Sequence, residues 1–69
     1  METIKLREEF IKLGQVLKAA GWVEDWVEAK LVIQDGKVTV NQETETRRGR
    51  KLYDGDVVSF DGHEIKIIK

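Results

Sequence analysis

The sequence predicts an α+β fold in which two short helices pack on a small, mainly antiparallel sheet. Apolar residues recur every three or four positions in the first half of the chain, whereas the second half alternates apolar and polar residues. Glycines and Asp-Gly pairs separate these segments, as is typical of helix ends and tight turns. With 69 residues and no cysteine, the fold depends on burial without disulfides, and we expect one domain over residues 1–69.

The N-terminal part is predicted to contain a strand and a helix. Residues 3–6 alternate in polarity and suit an edge strand, although the same residues could begin a helix. From Phe10 on, apolar residues recur at helical spacing, so we expect a helix over 13–20 that could start earlier. Gly21 then supplies its C-terminal stop.

A second helix is predicted to begin after Asp25. The Asp25 carboxylate can cap the free amides of the first turn, and Glu28 can reach back in a capping-box arrangement. Asp35-Gly36 is expected to end this helix. The residues expected to face inward are Ala29, Val32 and Ile33.

The remainder of the chain has the pattern of strands. Val38 and Val40 alternate with polar residues, and two further apolar segments cover 57–60 and 65–68. Turns are expected at Asp54-Gly55 and Asp61-Gly62. No apolar run approaches the roughly 20 residues that span a bilayer, and the acidic start does not resemble a signal peptide, so we expect a cytoplasmic protein.

Positive charge is concentrated in one segment of a chain whose formal net charge is -1. Residues 37–51 carry five basic and two acidic side chains (5 - 2 = +3), whereas the parts before and after each sum to -2. Four of the five cations are Arg47, Arg48, Arg50 and Lys51. The residues alone leave two interpretations open, a solvated loop paired with Glu43 and Glu45 or a phosphate-binding edge.

Four segments in order resemble a known family. They are Leu-Gly-Gln-Val-Leu-Lys at 13–18, the helix and strand at 28–41, Arg-Arg-Gly-Arg-Lys-Leu at 47–52, and Gly-Asp-Val-Val at 55–58. Together they cover about residues 13–60 and resemble the alpha-L RNA-binding domain named after the fourth small-subunit ribosomal protein, the S-four domain. The resemblance is strongest to short bacterial members that consist of this domain alone.

The resemblance implies a non-catalytic, ribosome-associated module that binds structured RNA, ribosomal RNA or tRNA. We expect a monomer that needs no cofactor or metal. The resemblance also implies that helix 2 and the loop with the basic residues 47–51 form one RNA-facing surface. The RNA-binding residues implied are Lys30, Arg47, Arg48, Arg50 and Lys51. The chain departs from the family pattern at two places: Asp25-Trp26-Val27 opens helix 2, and Asn41-Gln42 replaces an Asn-Gly turn. The second departure is expected to strain the turn, because glutamine adopts a positive φ less easily than glycine does.

Further residues are candidates for the rim of this surface or for base stacking. These are Lys18, Lys37, Trp26 and Tyr53, whereas Trp22 is expected to close the core. Trp26 and its helix face could instead form a protein-interaction or homodimer surface. A third alternative is a metal-dependent hydrolase that uses His63 and the neighbouring turn carboxylates, although the chain has only one histidine and we expect no catalytic site.

Overall fold

The structure is a computed structural model that describes residues 2–69, and it confirms the α+β architecture. Met1, the first residue of the predicted domain, lies outside the described residues. The helices are α1 (Leu13–Ala19) and α2 (Trp26–Gln34). The strands are β1 (Glu2–Lys5), β2 (Ile11–Lys12), β3 (Val38–Val40), β4 (Glu43–Thr44), β5 (Lys51–Leu52), β6 (Val57–Phe60) and β7 (His63–Ile68).

Five strands form one sheet in the order β1-β7-β6-β3-β4, and β2 and β5 form a separate antiparallel ladder. The strand interpretation of residues 3–6 is confirmed, because β1 is one of the two edge strands of the main sheet. It pairs with β7 in parallel, with Glu2 opposite Ile65. The other pairs are antiparallel, so the sheet is mainly antiparallel as predicted.

The first helix starts at Leu13 and does not extend back to Phe10. Ile11 and Lys12 are strand residues paired with Leu52 and Lys51, and this pairing takes the chain out of helical geometry just before α1. The Lys12 amide donates to Gln15 Oε1 at 3.0 Å, which satisfies one amide at this boundary. The predicted stop is confirmed, since Gly21 has φ 75°.

The second helix has the predicted cap, with one change in the reciprocal bond. The Glu28 amide donates to Asp25 Oδ1 at 2.8 Å, as expected for an N-cap aspartate. The Glu28 carboxylate also reaches back, but it accepts from the amide of Glu24, one residue before the cap. Ala29 and Ile33 are fully buried and Val32 is half-buried.

The core lies between the two helices and one face of the main sheet. Trp22 packs at its edge, with its ring centroid 6.0 Å from that of Phe60, so its predicted role in closing the core is confirmed. No helix of residues 2–69 is long and apolar enough to cross a membrane. The buried apolar residues are Leu6, Leu13, Val16, Leu17, Val23, Ala29, Ile33, Val38, Val40, Leu52, Val58, Ile65 and Ile67.

Two hairpin turns contain consecutive residues with positive φ, as in type I′ turns. Asp61 and Gly62 have φ 50° and 80° between β6 and β7, which confirms the predicted Asp-Gly turn. Asn41 and Gln42 have φ 52° and 71° between β3 and β4. Gln42 therefore occupies the position where the predicted strain arises, because a side chain with a Cβ disfavours this region.

Candidate nucleic-acid interface

The basic loop, residues 45–51, is fastened by its backbone to the start of α1. Its last residue lies in β5 and pairs with Lys12 of β2. The amides of Leu13 and Gly14 donate to the carbonyl oxygens of Arg50 and Arg48 at 2.9 and 3.1 Å. The loop therefore has a fixed position beside the first helix.

A buried carboxylate holds two of the four cations. Glu45 is only 6% exposed, and its oxygens accept from Nε and Nη2 of Arg47, both at 3.1 Å, and from Nη1 of Arg50 at 2.9 Å. The backbone amides of Thr46 and Arg47 also donate to this carboxylate, at 3.0 and 3.1 Å. Glu45 thus satisfies its oxygens within the loop and sets the direction of both guanidinium groups.

These bonds shift the pKa of both partners. Hydrogen bonds from the Arg47 side chain, opposed by burial and supported by Arg50, lower the pKa of Glu45 from 4.5 to about 2. The same bond raises the pKa of Arg47. The interpretation as a solvated loop expected Glu43 and Glu45 to pair with the cations. Glu45 pairs with Arg47 and Arg50 and is buried, whereas Glu43 is exposed on β4.

Arg48 has a different environment from its neighbours. Among residues 2–69 it forms no ion pair, and its aliphatic stem lies over Gly14 of α1. A Cβ atom built on Gly14 would be 2.8 Å from Arg48 Cγ and 3.3 Å from Trp26 Cζ3. Glycine at this position therefore allows Arg48 and Trp26 to converge over the helix.

An open cleft lies where these side chains converge, and we call it the Trp26 cleft. Trp26 is the first residue of α2 and is 44% exposed, so part of its indole is open to solvent. Lys18 Nζ lies 4.8 Å from the centroid of its ring, within cation–π range. The cleft is lined by Lys12, Gly14, Gln15, Trp26, Arg48 and Gly49.

Lys30 lies on the same side of α2 as Trp26, one turn further along, and is exposed. The side of α2 that begins at the cleft therefore carries the Trp26 indole and, one turn further along, the Lys30 cation. Lys18, predicted as a rim residue, joins this surface through its contact with Trp26.

The other end of the basic loop carries a second aromatic group. Lys51 Nζ lies 4.8 Å from the ring centroid of Phe10, and that ring lies 6.2 Å from the ring of Tyr53. Tyr53 is about half exposed, and its amide donates to Asp56 Oδ2 at 2.8 Å. Tyr53 therefore stands at the edge of the two-stranded ladder, close to the basic loop.

Two residues singled out from the sequence lie apart from this surface. Lys37 lies beyond the C-terminal end of α2, a helix about 13 Å long at about 1.5 Å per residue that has Trp26 at its other end. Lys37 lines a depression with Phe60 and Asp61. His63 begins β7, exposed, with its ring 6.0 Å from that of Trp22. Within the described part of the chain no group of three or more His, Cys, Asp or Glu side chains could hold a metal ion.

The sequence did not reveal three contributors to this surface. Lys12 lines the cleft only because β2 pairs with β5, a contact between distant segments. Gly14 lies in the first turn of α1, where glycine lowers helix stability relative to alanine. A glycine at such a position is a signal that a neighbouring group needs the space of its missing side chain. Glu45 lies two and five residues before the arginines that it binds, and no pattern in the neighbouring sequence indicates that its side chain is buried.

Comparisons with known proteins agree with the fold and the order of its motifs. The family model described as the S4 domain matches residues 4–68. The Bacillus subtilis (strain 168) protein named "Probable ribosome maturation protein RlbA" is 46% identical over 59 residues, which cover 86% of this chain and 83% of RlbA. The Escherichia coli (strain K12) protein named "Putative RNA-binding protein YbcJ" is 36% identical over 69 residues, which cover 99% of each chain.

The fold has a counterpart in a solved structure. The solution structure of YbcJ from E. coli, described as revealing an alfaL motif involved in RNA-binding, matches with a TM-score of 0.74 and 35% identity. The match covers 100% of this chain and 89% of that one. Because the family model spans nearly the whole chain and the relatives match over most of their length, the chain belongs to the S4 domain family.

Proposed function

We propose that this chain is an RNA-binding module without catalysis, which docks on structured RNA through α2 and the basic loop. The observation that carries the proposal is the order of the basic loop, in which the buried Glu45 fixes Arg47 and Arg50 while Arg48 stays unpaired beside Trp26. The buried carboxylate holds Arg47 and Arg50 in one orientation, which reduces the ordering that contact with a phosphate would require. The names of the RlbA and YbcJ relatives support the same function.

The contacts to RNA are proposed to be mainly with phosphates. The Arg47 side chain is 75% exposed, and its bonds to Glu45 use only some of its donors, which leaves the others free for phosphate oxygens. Arg48 and Lys51 are exposed cations of the loop, and Lys30 is an exposed cation of α2. Phosphate contacts give register and salt dependence but no sequence information, so recognition rests on RNA shape.

The proposed partner is ribosomal RNA or tRNA, bound by the single domain of residues 1–69 as a monomer. The name of the RlbA relative refers to ribosome maturation, which favours ribosomal RNA of the two. Crosslinking in cells followed by sequencing of the bound RNA identifies the partner. Recovery of messenger RNA without enrichment of ribosomal RNA or tRNA contradicts this part of the proposal.

The phosphate contacts can be tested with Arg48→Ala and Lys51→Ala. Arg47 and Arg50 are left intact, because removing either leaves the buried Glu45 carboxylate with fewer partners and lowers stability for a reason unrelated to RNA. Lys66→Ala is the matched control, since Lys66 is an exposed cation of β7 between Ile65 and Ile67, which face the core.

Affinity is measured against a ribosomal RNA fragment and a tRNA over a range of salt concentrations. Each loop variant is expected to bind more weakly, and the slope of log affinity against log salt is expected to decrease by about 0.7 to 0.9 per lost phosphate contact. Lys66→Ala is expected to leave both quantities unchanged. Wild-type affinity and slope in both loop variants refute the proposed interface.

The exposed apolar face of α2 supports a second candidate, a protein-interaction or homodimer surface. Val27, which follows Trp26, and Leu31, one turn further along, are 67% and 57% exposed. Sedimentation without RNA distinguishes the two functions. A concentration-dependent dimer that Trp26→Ala and Leu31→Ser both abolish supports the second candidate, whereas a monomer at all concentrations excludes the homodimer.

A further inference from the structure

The Trp26 cleft combines an aromatic side chain with positive charge. Trp26 contributes the aromatic wall, and Lys12 and Arg48 contribute two cations. No carboxylate lines the cleft, although acidic residues outnumber basic ones in the chain, 13 to 12. Lys18 adds a third cation at the indole. A ligand that suits this lining has a flat, polarizable ring and a negative charge next to it.

We propose that the Trp26 cleft binds one unpaired nucleotide of the RNA, with its base stacked on the Trp26 indole and its phosphate held by Arg48 and Lys12. The inference rests on the proposed function and adds to it the class of RNA that is bound. A base inside a continuous duplex is stacked on both sides and cannot reach an indole. The preferred target is therefore a duplex interrupted by a bulge, or a junction between double-stranded and single-stranded RNA.

Local structure explains why the cleft exists. The missing side chain at Gly14 leaves the space in which the Arg48 stem and the Trp26 ring approach each other. The backbone of Arg48 is fixed by its carbonyl, which accepts from the Gly14 amide at 3.1 Å. The Arg48 guanidinium is not drawn away by Glu45, whose oxygens are occupied by Arg47 and Arg50. The neighbours of Arg48 thus leave its charge available at the cleft.

The lining favours a nucleotide over a side chain of a partner protein. Trp26 is the only large apolar side chain among the lining residues of the cleft, whereas a pocket for an apolar anchor is normally lined mainly by apolar groups. The apolar residues Val27 and Leu31 lie elsewhere on α2 and do not line it. Stacking between a base and an aromatic side chain is tolerant of sequence, which fits recognition by RNA shape.

The test uses three short RNA duplexes that are identical except at one position. The first carries a bulged adenosine, the second carries an abasic bulge, and the third is fully paired. Binding of the wild-type protein and of Trp26→Ala, Trp26→Phe and Trp22→Phe is measured at one salt concentration. Trp22→Phe is the matched control, because it replaces the other tryptophan, which packs at the edge of the core and does not line the cleft.

The wild-type protein is expected to bind the adenosine bulge about 5- to 150-fold more tightly than the abasic bulge, the range that base–aromatic stacking contributes. Trp26→Ala is expected to bind these two RNAs equally, and Trp26→Phe to retain part of the preference. Trp22→Phe is expected to keep the wild-type ratio. Thermal unfolding of each variant shows whether a loss of binding reflects a loss of fold.

Fluorescence gives a second measurement that depends on contact with the indole itself. In a Trp22→Phe background Trp26 is the only tryptophan of the chain. The adenosine bulge is expected to quench its emission more strongly than the abasic bulge does. Equal quenching by both RNAs overturns the stacking contact.

The outcomes separate this inference from the proposed function. If the protein binds none of the duplexes, nor any ribosomal RNA fragment or tRNA, the proposed function fails and this inference fails with it. If it binds all three duplexes equally and Trp26→Ala changes nothing, the RNA-binding function stands and the nucleotide site is refuted. A dimer that closes over Trp26 and is lost in Trp26→Ala also overturns the nucleotide site.

Discussion

Replacing Glu45 by glutamine is expected to lower the free energy of unfolding at neutral pH and to remove part of its dependence on acid. Glutamine keeps the size of the side chain but loses the charge that pairs with Arg47 and Arg50. Its amide nitrogen is a donor and would face a guanidinium donor at one of the two oxygen positions. The variant therefore tests how strongly the buried carboxylate organises the basic loop.

The magnitude follows from the pKa of Glu45, which falls from 4.5 to about 2 in the folded protein. At about 1.4 kcal/mol per pH unit, a difference of roughly 2.5 (4.5 - 2) corresponds to at most about 3.5 kcal/mol. Water screens the bond, because the Arg47 side chain is 75% exposed. We therefore expect a contribution of about 1 to 2 kcal/mol from Glu45.

Folding lowers the pKa of the Glu45 carboxyl group, and this direction determines how its contribution to stability changes with pH. Above pH 4.5 the carboxylate is charged in both states, and its contribution to stability is fully present. As the pH falls from 4.5 to about 2 the unfolded state binds the proton first, and the contribution is lost. Stability thus decreases on acidification through this range.

Denaturant unfolding at a series of pH values measures the effect for wild type, Glu45→Gln and Glu43→Gln. The exposed Glu43 lies two residues away and serves as the control. The difference in unfolding free energy between wild type and Glu45→Gln is expected to be about 1 to 2 kcal/mol above pH 5 and to approach zero near pH 2. A difference that does not change with pH, or an equal effect of Glu43→Gln, refutes this role of Glu45.

Three other substitutions test the local structure. Gly14→Ala is expected to lower the unfolding free energy by about 1 kcal/mol or more, because its Cβ would lie 2.8 Å from Arg48 Cγ and the required shift outweighs the gain in helix propensity. Binding to the adenosine bulge is expected to weaken as well, and unchanged binding contradicts the close approach at the cleft. Asp25→Ala removes the acceptor of the Glu28 amide and should lower stability in urea by about 1 kcal/mol. Gln42→Gly relieves a φ of 71° and should raise the midpoint of thermal unfolding, so that a lower midpoint argues against strain in this turn.

The elements that the sequence predicted well have local signals. The second helix was placed by its cap at Asp25 and its end at Gly36, and both positions hold in the structure. The Asp61-Gly62 hairpin was placed by a turn sequence that tolerates positive φ. Such signals act within a few residues, so they do not depend on how the rest of the chain folds.

The first fifteen residues show where local signals are insufficient. Residues 3–6 could begin a strand or a helix, and the parallel pairing of β1 with β7, more than 60 positions away, decides for the strand. The start of α1 is likewise decided by the ladder between β2 and β5. In both places the competing conformations are close in local propensity, so hydrogen bonds between distant segments select one of them.

The same distinction applies to the candidate interface. The sequence by itself determined which residues carry the charge, since four cations in residues 47–51 and an indole at the start of α2 follow from composition and order. Only the tertiary structure decided how the cations divide, with Arg47 and Arg50 bound to Glu45 and Arg48 directed over Gly14 toward Trp26. The physical reason is that burial of Glu45 and the space at Gly14 arise from packing between segments that lie far apart in the chain.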